Sequence, residues 1–268
     1  MAQHPPSEQK IHQLHEHLLL LKLSRLEKAL DEHLARAARE QDPVSEVLAR
    51  LIAIEAEDLI ERRIERRIIE SRLPARKLLA DFDFAFQPSL DKAQIMELAS
   101  LAFVQRTQSL ILAGGSGTGK SHLAMAMLLL GCQHRYRCRY TTAADMLKDL
   151  HAGLADGSLE RKLKAYATVD VLLIDEVGFD RLEQESARNA SLFFKIIDAR
   201  YAKRSTILTT NVDFKVLGDY LGDPVITTAI VDRLVHHAVI ISIDGPSYRM
   251  YESKKLNRSS RKKPTPKS

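Results

Sequence analysis

The sequence has 268 residues, 45% of them hydrophobic and 28% charged, which is enough for one α/β domain and a smaller helical segment. Its net charge of +5 comes from residues 253–268, which hold 7 Lys and Arg side chains and no acid. Two cysteines, Cys132 and Cys138, exclude a disulfide framework or a zinc site, and the lack of a long apolar run or a signal peptide predicts a cytoplasmic protein without membrane contact.

Residues 1–73 carry hydrophobic side chains at helical spacing and predict three helices. Ser24 is suited to cap the second helix, with Glu27 at the capping-box position. The third helix is expected to begin at Asp42-Pro43 and to end before Pro74. Its polar face mixes arginines with acids, which is typical of a solvated surface, so we expect this N-terminal domain to bind a partner protein.

The next segment contains three aromatic residues, Phe82, Phe84 and Phe86, which we expect to be packing anchors that help to frame the base of a nucleotide. From residue 109 onward, predicted strands and helices alternate along the chain. This alternation indicates a parallel sheet with helices on both faces. We assign residues 74–252 to this second domain.

A phosphate-binding loop pattern follows the first predicted strand of this domain. The pattern G-x-x-x-x-G-K-[ST] is met at every required position by Gly114-Gly115-Ser116-Gly117-Thr118-Gly119-Lys120-Ser121. Its glycines let successive N–H groups point at one anion, and the following helix adds its positive N-terminus. Lys120 is expected to neutralise nucleotide phosphates and Ser121 to bind Mg²⁺. The alternative is a glycine-rich turn that binds no nucleotide.

A second predicted strand of this domain ends at the carboxylates that a nucleoside triphosphate site needs. The run Val169–Ile174 is mostly apolar, as in a strand buried on both faces, and it ends at Asp175 and Glu176. Ligands of open α/β sheets bind at the carboxyl ends of the strands. Asp175 is therefore expected to hold Mg²⁺ and Glu176 to orient or deprotonate the attacking water. The alternative is an acidic surface turn.

A third strand, Thr206–Thr210, ends at Asn211. An amide at that position could hydrogen-bond the attacking water or the γ-phosphate. Alternatively, Asn211 caps a helix that begins near Asp213.

Arg233 lies on a predicted helix just before the last strand, Ala238–Ile243. From there it could reach the γ-phosphate on a neighbouring subunit, a contact of large catalytic effect in other phosphoryl-transfer enzymes. The alternative is a local ion pair with Asp223 or Asp232.

Basic side chains concentrate in three places that could contact DNA phosphates. Residues 253–268 are expected to form a disordered basic tail. Each cluster could equally be a solvated surface. The other two clusters lie in the second domain and consist of Arg161, Lys162 and Lys164, and of Arg135, Arg137 and Arg139.

The motifs together resemble one family. The phosphate loop, the Asp175-Glu176 pair, Asn211 after two threonines and Arg233 are similar to those of AAA+ ATPases of the DnaA/DnaC clade. Within that clade the chain resembles the IstB-type transposition helper ATPases. This closer likeness covers residues 10–256 and rests on the stretches Lys22–Leu26, Asp81–Phe84, Thr141–Leu147 and Gly245–Arg249.

The resemblance implies an α/β fold with the AAA+ parallel sheet order 5-1-4-3-2. That order would bring Lys120, Asn211 and Asp175 to one γ-phosphate. It also implies cofactors and roles: ATP in the loop Gly114–Ser121, Mg²⁺ on Ser121 and Asp175, catalysis by Glu176 with Lys120, Asn211 as sensor 1, and Arg233 as arginine finger.

The resemblance further implies that the segment 142–167 is the clade's helical insertion, which lines a DNA channel in relatives. Two positions depart from the usual pattern, because Gly115 stands where proline is common and Ser121 where threonine is common. Neither change removes a ligand. A separate lid domain is not evident, so Arg249 is a candidate sensor 2 only.

The function that this resemblance implies is ATP-dependent assembly on duplex DNA, as a ring or helical filament. The assembly would present the DNA to a transposase bound through the N-terminal helices. The main alternative is a DnaC-type helicase loader acting on single-stranded DNA. A small-molecule P-loop kinase would need a second-substrate pocket and an Arg-rich lid. A DNA-bending protein with a vestigial loop would not need the intact Lys120, Ser121, Asp175 and Glu176.

Overall fold

The computed structural model describes residues 8–179, 187–212 and 223–260. The chain divides into two compact units, Met1–Arg66 and Arg67–Ser268. The domain boundaries drawn from the sequence, at residues 73 and 252, stay predictions. Among the helices of the described ranges, none has both the length and the apolar character needed to cross a membrane.

The first unit is helical, as predicted. Its core contains buried leucine and valine side chains from all three helices, and these exclude water from the space between them. The core residues are Leu18, Leu30, Val47 and Leu51. The helices are α1 (Glu8–Leu20), α2 (Ser24–Glu40) and α3 (Val44–Glu70).

The predicted capping box of α2 is wrong. Ser24 is the first helical residue, and the N-cap position is held by Leu23, which makes no side-chain cap. The free N–H groups of Arg25 and Leu26 instead donate to Oε2 of Glu55, at 3.0 and 3.1 Å. Glu55 is buried and lies on α3, so a carboxylate about thirty residues away in sequence caps this helix.

The acid expected to complete that box has another partner. Oε1 of Glu27 lies 3.0 Å from Nδ1 of His15, and Oδ1 of Asp31 lies 3.1 Å from Nε2 of the same ring. The hydrogen bonds to Glu27 and then to Asp31 raise the pKa of His15 above its ordinary value. These contacts join α1 to α2.

The second unit alternates strands and helices after a lead-in region. The lead-in contains a short 3₁₀ helix (Leu79–Asp81), α4 (Lys92–Ala99) and α5 (Ala102–Gln105). The alternating elements are β1 (Ser109–Gly114), α6 (Lys120–Gln133), β2 (Cys138–Thr142), α7 (Ala143–Ala155), α8 (Leu159–Ala167), β3 (Val171–Val177), α9 (Ala187–Arg200), β4 (Ser205–Thr210), α10 (Pro224–His236), β5 (Ala238–Ile243) and α11 (Tyr248–Ser260).

The five strands form one parallel sheet in the order β2-β3-β4-β1-β5. Read from the other edge, this is the predicted order 5-1-4-3-2, so the predicted fold class is confirmed. The central strands are buried on both faces, as the apolar runs predicted, with Ile111, Leu173 and Leu208 at 0% exposure. One face packs against α7, α8, α9 and α10 through a cluster that includes Met146 and Phe193.

The pairing of β3 with β4 contains one irregularity. Ile174 pairs with Leu208, and the next pair is Val177 with Thr210, so β3 has one more residue than β4 over this interval. An extra residue of this kind is a β-bulge, which changes the direction of nearby side chains. The bulge falls on the two acids at the end of β3.

The C-terminal segment differs from expectation. Residues 253–260, predicted to be disordered, continue helix α11, while residues 261–268 lie outside the described ranges. The run 248–260 contains neither Pro nor Gly, and Pro264 is the first residue beyond it that would stop a helix. The high content of basic residues therefore obscured a helix in the sequence.

Candidate active site

The phosphate loop joins β1 to α6 in a backbone conformation that requires glycine at two inner positions. Gly117 and Gly119 have φ values of 79° and 99°, which other residues rarely adopt. A Cβ atom at position 117 would lie 2.1 Å from Oγ of Ser247, and one at position 119 would lie 2.6 Å from the ring of Phe82. The loop is therefore packed between the lead-in segment and the residue that precedes α11.

Lys120 begins α6 and turns its side chain back over the loop. Its Nζ atom donates to the carbonyl oxygens of Gly114 and Gly115, both at 2.7 Å. Burial lowers the pKa of this lysine, Asp175 opposes that effect, and Arg249 adds to it. The ammonium group and the N-terminus of α6 thus place two positive elements beside the loop.

Asp175 is buried at the end of β3, where three hydroxyl groups surround its carboxylate. Ser121 Oγ donates to Oδ1 at 2.9 Å, and Tyr140 OH donates to Oδ2 at 3.3 Å. Thr209 Oγ1 also bonds to Oδ1. Burial raises the pKa of Tyr140, and the nearby Asp175 carboxylate raises it further.

The pair formed by Ser121 and Asp175 fits the requirements of Mg²⁺. Mg²⁺ prefers oxygen ligands, takes one or two of them from the protein, and completes its shell with water and substrate phosphates. A hydroxyl and a carboxylate in contact beside a phosphate loop are therefore suited to a metal–nucleotide complex.

Glu176 is exposed and has a φ of 61°, a left-handed conformation that is rare for a glutamate. Its backbone N–H donates to Oγ1 of Thr209 at 3.0 Å. The cleft beside it is bordered by six of the predicted site residues, together with Arg249. The lining side chains and backbone are Ser116, Gly117, Lys120, Ser121, Glu176, Phe179, Thr209, Thr210, Asn211 and Arg249.

Asn211 thus shares a cleft with Lys120 and Glu176. The alternative helix that it could cap, near Asp213, lies outside the described residues. Arg233 does not border this cleft. It borders a small crevice with Ser109 and Thr206, which lie at the amino ends of β1 and β4. The cleft lies at the other ends of the strands.

The observed partners of Arg233 differ from Asp223 and Asp232, the partners in the alternative interpretation. Its Nε atom lies 2.9 Å from Oδ1 of Asp198, and its guanidinium group lies 4.7 Å from the ring centre of Phe194. The side chain of Asp223 is occupied in capping α10. Arg233 is therefore held on the outer surface of α9 and α10 by an ion pair that had not been predicted.

Sequence reasoning missed Thr209 and Tyr140, which contact Asp175. Thr209 lies on β4, two residues before Asn211, and alternate residues along a strand point to the same face. That spacing could have identified Thr209 as a neighbour of the site. Tyr140 lies on the edge strand β2, and only the strand order brings it next to β3.

The comparison with protein families identifies the chain. The model of the IstB-like ATP binding protein family matches residues 16–256. The chain belongs to this family. The predicted resemblance is therefore confirmed, and with it the class of ATP-binding P-loop enzyme.

Relatives of known sequence agree with this family. The chain is 37% identical over 245 residues to the ATP-binding protein of insertion sequence IS21 from Pseudomonas aeruginosa, a match that covers 91% of each chain. It is 36% identical to the ATP-binding protein of insertion sequence IS232 from Bacillus thuringiensis subsp. berliner, covering 89% of this chain and 94% of the relative.

Solved structures agree with the fold. A DnaC helicase loader superposes with a TM-score of 0.54 at 23% identity, covering 64% of this chain and 98% of the loader. At that identity the similarity supports the fold alone.

Proposed function

We propose that this protein hydrolyses ATP to ADP and phosphate with Mg²⁺, assembles on duplex DNA, and assists the transposase of its mobile element in target selection and transposition. The observation that carries the proposal is that Lys120, Ser121 and Glu176 border one cleft, and that the buried Asp175 accepts a hydrogen bond from Ser121. The relatives, which are proteins of insertion sequences, support the transposition context. We place the activity in the cytoplasm, where the two buried thiols would stay reduced.

In this proposal, backbone N–H groups of the loop and the Lys120 ammonium bind the nucleotide phosphates. A bound Mg²⁺ would neutralise charge on the β- and γ-phosphates, with Ser121 and Asp175 as its protein ligands. Glu176 accepts the proton of the water that attacks the γ-phosphorus, and Asn211 holds that water in line with the leaving oxygen. The new P–O bond forms as the β–γ bridge breaks, and ADP leaves.

Arg233 would act on the nucleotide of the next subunit. It lies near the amino ends of the strands, away from the cleft, and cannot reach the nucleotide of its own chain. An arginine so placed contributes to catalysis only where subunits pack with the cleft of one against α10 of another. The proposed role of Arg233 therefore requires self-assembly, as a ring or a helical filament.

Contacts to DNA would come from the exposed basic side chains Arg161 and Lys164 on α8 and Lys254 and Lys255 on α11. Three other members of the predicted clusters are engaged within the chain. Lys162 lies 3.1 Å from Asp149. Arg137 pairs with Asp170, and Arg139 lies over the ring of Tyr166. The exposed residues contact phosphates without reading sequence.

The transposase would bind the first unit. Its helix α3 exposes large apolar side chains on one stripe, with exposed fractions of 76% for Val44, 53% for Leu48 and 60% for Ile52. Apolar side chains that recur every four residues on a helix suit the groove or helix of a partner protein.

The deciding experiment measures ATP hydrolysis and particle size in the presence of duplex DNA, single-stranded DNA or neither. We expect ATP-dependent assembly on duplex DNA and faster hydrolysis there. A preference for single strands would favour the helicase-loader alternative, and hydrolysis unaffected by any DNA would contradict both DNA functions. Glu176→Gln should still assemble on duplex DNA with ATP, while its hydrolysis should fall by roughly a hundredfold or more.

A further inference from the structure

Thr209 has a position that the general chemistry of the site does not explain. It lies on β4, is 1% exposed, and its hydroxyl stands between the two acids at the end of β3. Oγ1 accepts the backbone N–H of Glu176 at 3.0 Å and bonds to Oδ1 of Asp175. A hydroxyl group has one proton to donate and lone pairs to accept, so it can serve both contacts at once.

The backbone that Thr209 contacts is the unusual part of β3. The bulge interrupts the regular pairing of β3 and β4 after Ile174, and within it Glu176 has a left-handed φ. A residue in this conformation is retained only where surrounding contacts enforce it. The hydrogen bond from Glu176 N–H to Thr209 is such a contact, because it ties this backbone to a buried side chain of β4.

The bulge has a direct effect on the side chains. In a regular strand, consecutive side chains point to opposite faces of the sheet. Here Asp175 is buried and bonded to Ser121, which borders the cleft, and Glu176 borders that cleft directly. Both acids can therefore serve one nucleotide because β3 departs from regular geometry between them.

We propose that Thr209 is a positioning residue for both acids. Its hydroxyl fixes the Asp175 carboxylate toward the metal side of the cleft, and it holds the Glu176 backbone so that this carboxylate faces the attacking water. The inference rests on the proposed roles of Asp175 and Glu176 in hydrolysis. It is independent of DNA and of the transposase.

Another threonine of β4, Thr206, makes it possible to test whether the effect is specific to Thr209 or common to any buried hydroxyl of this strand. Thr206 is equally buried, and its Oγ1 accepts from Nε of Arg200 at 3.0 Å, away from the cleft. Thr206→Val therefore removes a buried hydroxyl from the same strand by the same chemical change. It is the matched control for Thr209→Val.

The test compares Thr209→Val, Thr209→Ser and Thr206→Val in the full-length protein. Loss of a hydroxyl that orients a metal ligand typically lowers activity by about 10–100-fold. We expect Thr209→Val to lose about this much kcat, to need more Mg²⁺ for half-maximal rate, and to keep the wild-type affinity for a fluorescent ATP analogue in EDTA. Thr209→Ser retains the hydroxyl and should recover most of the rate.

Three results would overturn the inference. They are a wild-type kcat and Mg²⁺ dependence in Thr209→Val, a rate that Thr209→Ser does not recover, and an equal loss of kcat in Thr206→Val. Glu176→Gln, measured in parallel, distinguishes this failure from a failure of the proposed site. If Glu176→Gln is inactive while Thr209→Val is fully active, only the role of Thr209 is rejected.

Discussion

Nζ of Lys120 donates to the carbonyl oxygen of Gly114 at 2.7 Å, which holds the ammonium group of this buried side chain against the first residue of the phosphate loop. Burial disfavours the charged form of this lysine and lowers its pKa. The native protein therefore keeps a cation in a place where hydration is reduced. A bound polyphosphate would compensate for that loss.

Replacing Lys120 should separate nucleotide binding from stability. We expect Lys120→Met to unfold at a temperature no lower than wild type without nucleotide, since an apolar side chain of similar length removes the buried charge. MgATP at a thousandfold excess over its Kd should stabilise wild type by about 4 kcal/mol, and it should leave Lys120→Met unchanged. Thermal unfolding with and without MgATP measures both effects.

The control for this prediction is Lys148→Met, which changes an exposed lysine on α7 that does not border the cleft. MgATP should raise its unfolding temperature as much as it raises that of the wild type. A shift of wild-type size in Lys120→Met would show that the lysine does not contact the nucleotide.

Mixing two inactive variants should restore hydrolysis if Arg233 acts between subunits. In an equal mixture of Glu176→Gln and Arg233→Ala, about one quarter of the interfaces combine an intact Glu176 with an intact Arg233. We expect about that fraction of the wild-type, DNA-stimulated rate, measured by phosphate release. No recovery, with both variants shown to assemble together, would contradict a role in trans.

Asp198→Asn is the companion measurement, because it removes the charge that Arg233 contacts at 2.9 Å. A half-exposed ion pair contributes little to stability. The variant should therefore keep its unfolding temperature and retain hydrolysis. If Asp198→Asn lost as much activity as Arg233→Ala, the ion pair itself would be the essential contact.

Glu55 should control the stability of the first turn of α2. Glu55→Ala leaves the N–H groups of Arg25 and Leu26 without their acceptor, and the loss of a helix cap costs about 1 kcal/mol. We expect hydrogen exchange of these two amides to accelerate by up to about tenfold. Glu57→Ala, an exposed acid on the same helix, should leave both rates unchanged.

The contact between His15 and its two acids makes the first unit sensitive to pH. Because Glu27 and Asp31 raise the pKa of His15 in the folded state, the stabilisation is complete below the unfolded pKa and is lost as pH rises through the folded pKa. Amides of α1 should be better protected near about pH 5.5 than near about pH 8, after correction for intrinsic exchange. His15→Gln should remove that difference, and an unchanged difference in this variant would contradict the assignment.

The sequence was sufficient where function depends on a short local pattern. The loop Gly114–Ser121 needs glycines and a lysine at fixed spacing, so its residues could be recognised without the fold. The strand order came from a resemblance. Residues that act through tertiary contacts could not be predicted from the sequence. Glu55 caps a helix that is about thirty residues away in sequence, and Thr209 contacts an irregular backbone on another strand.

The basic C-terminal region shows a different limit of prediction from sequence. Its charge indicated disorder, yet residues 253–260 are helical, because charge density and helix propensity are separate properties of a segment. The ion pairs considered as the alternative role of Arg233 differ from the observed one for a related reason. Asp223 and Asp232 are near in sequence, but the α9 helix places Asp198 in contact instead.

The start of α11 has a practical consequence for shortened versions of the protein. Tyr248 N–H donates to the carbonyl oxygen of Gly117 at 2.9 Å, and Ser247 occupies the space that a side chain at position 117 would need. A deletion from residue 245 onward would remove one wall of the phosphate loop together with the basic residues. Ending the chain at residue 252 keeps that wall, so only the shorter deletion reports on the basic segment without also altering the nucleotide cradle.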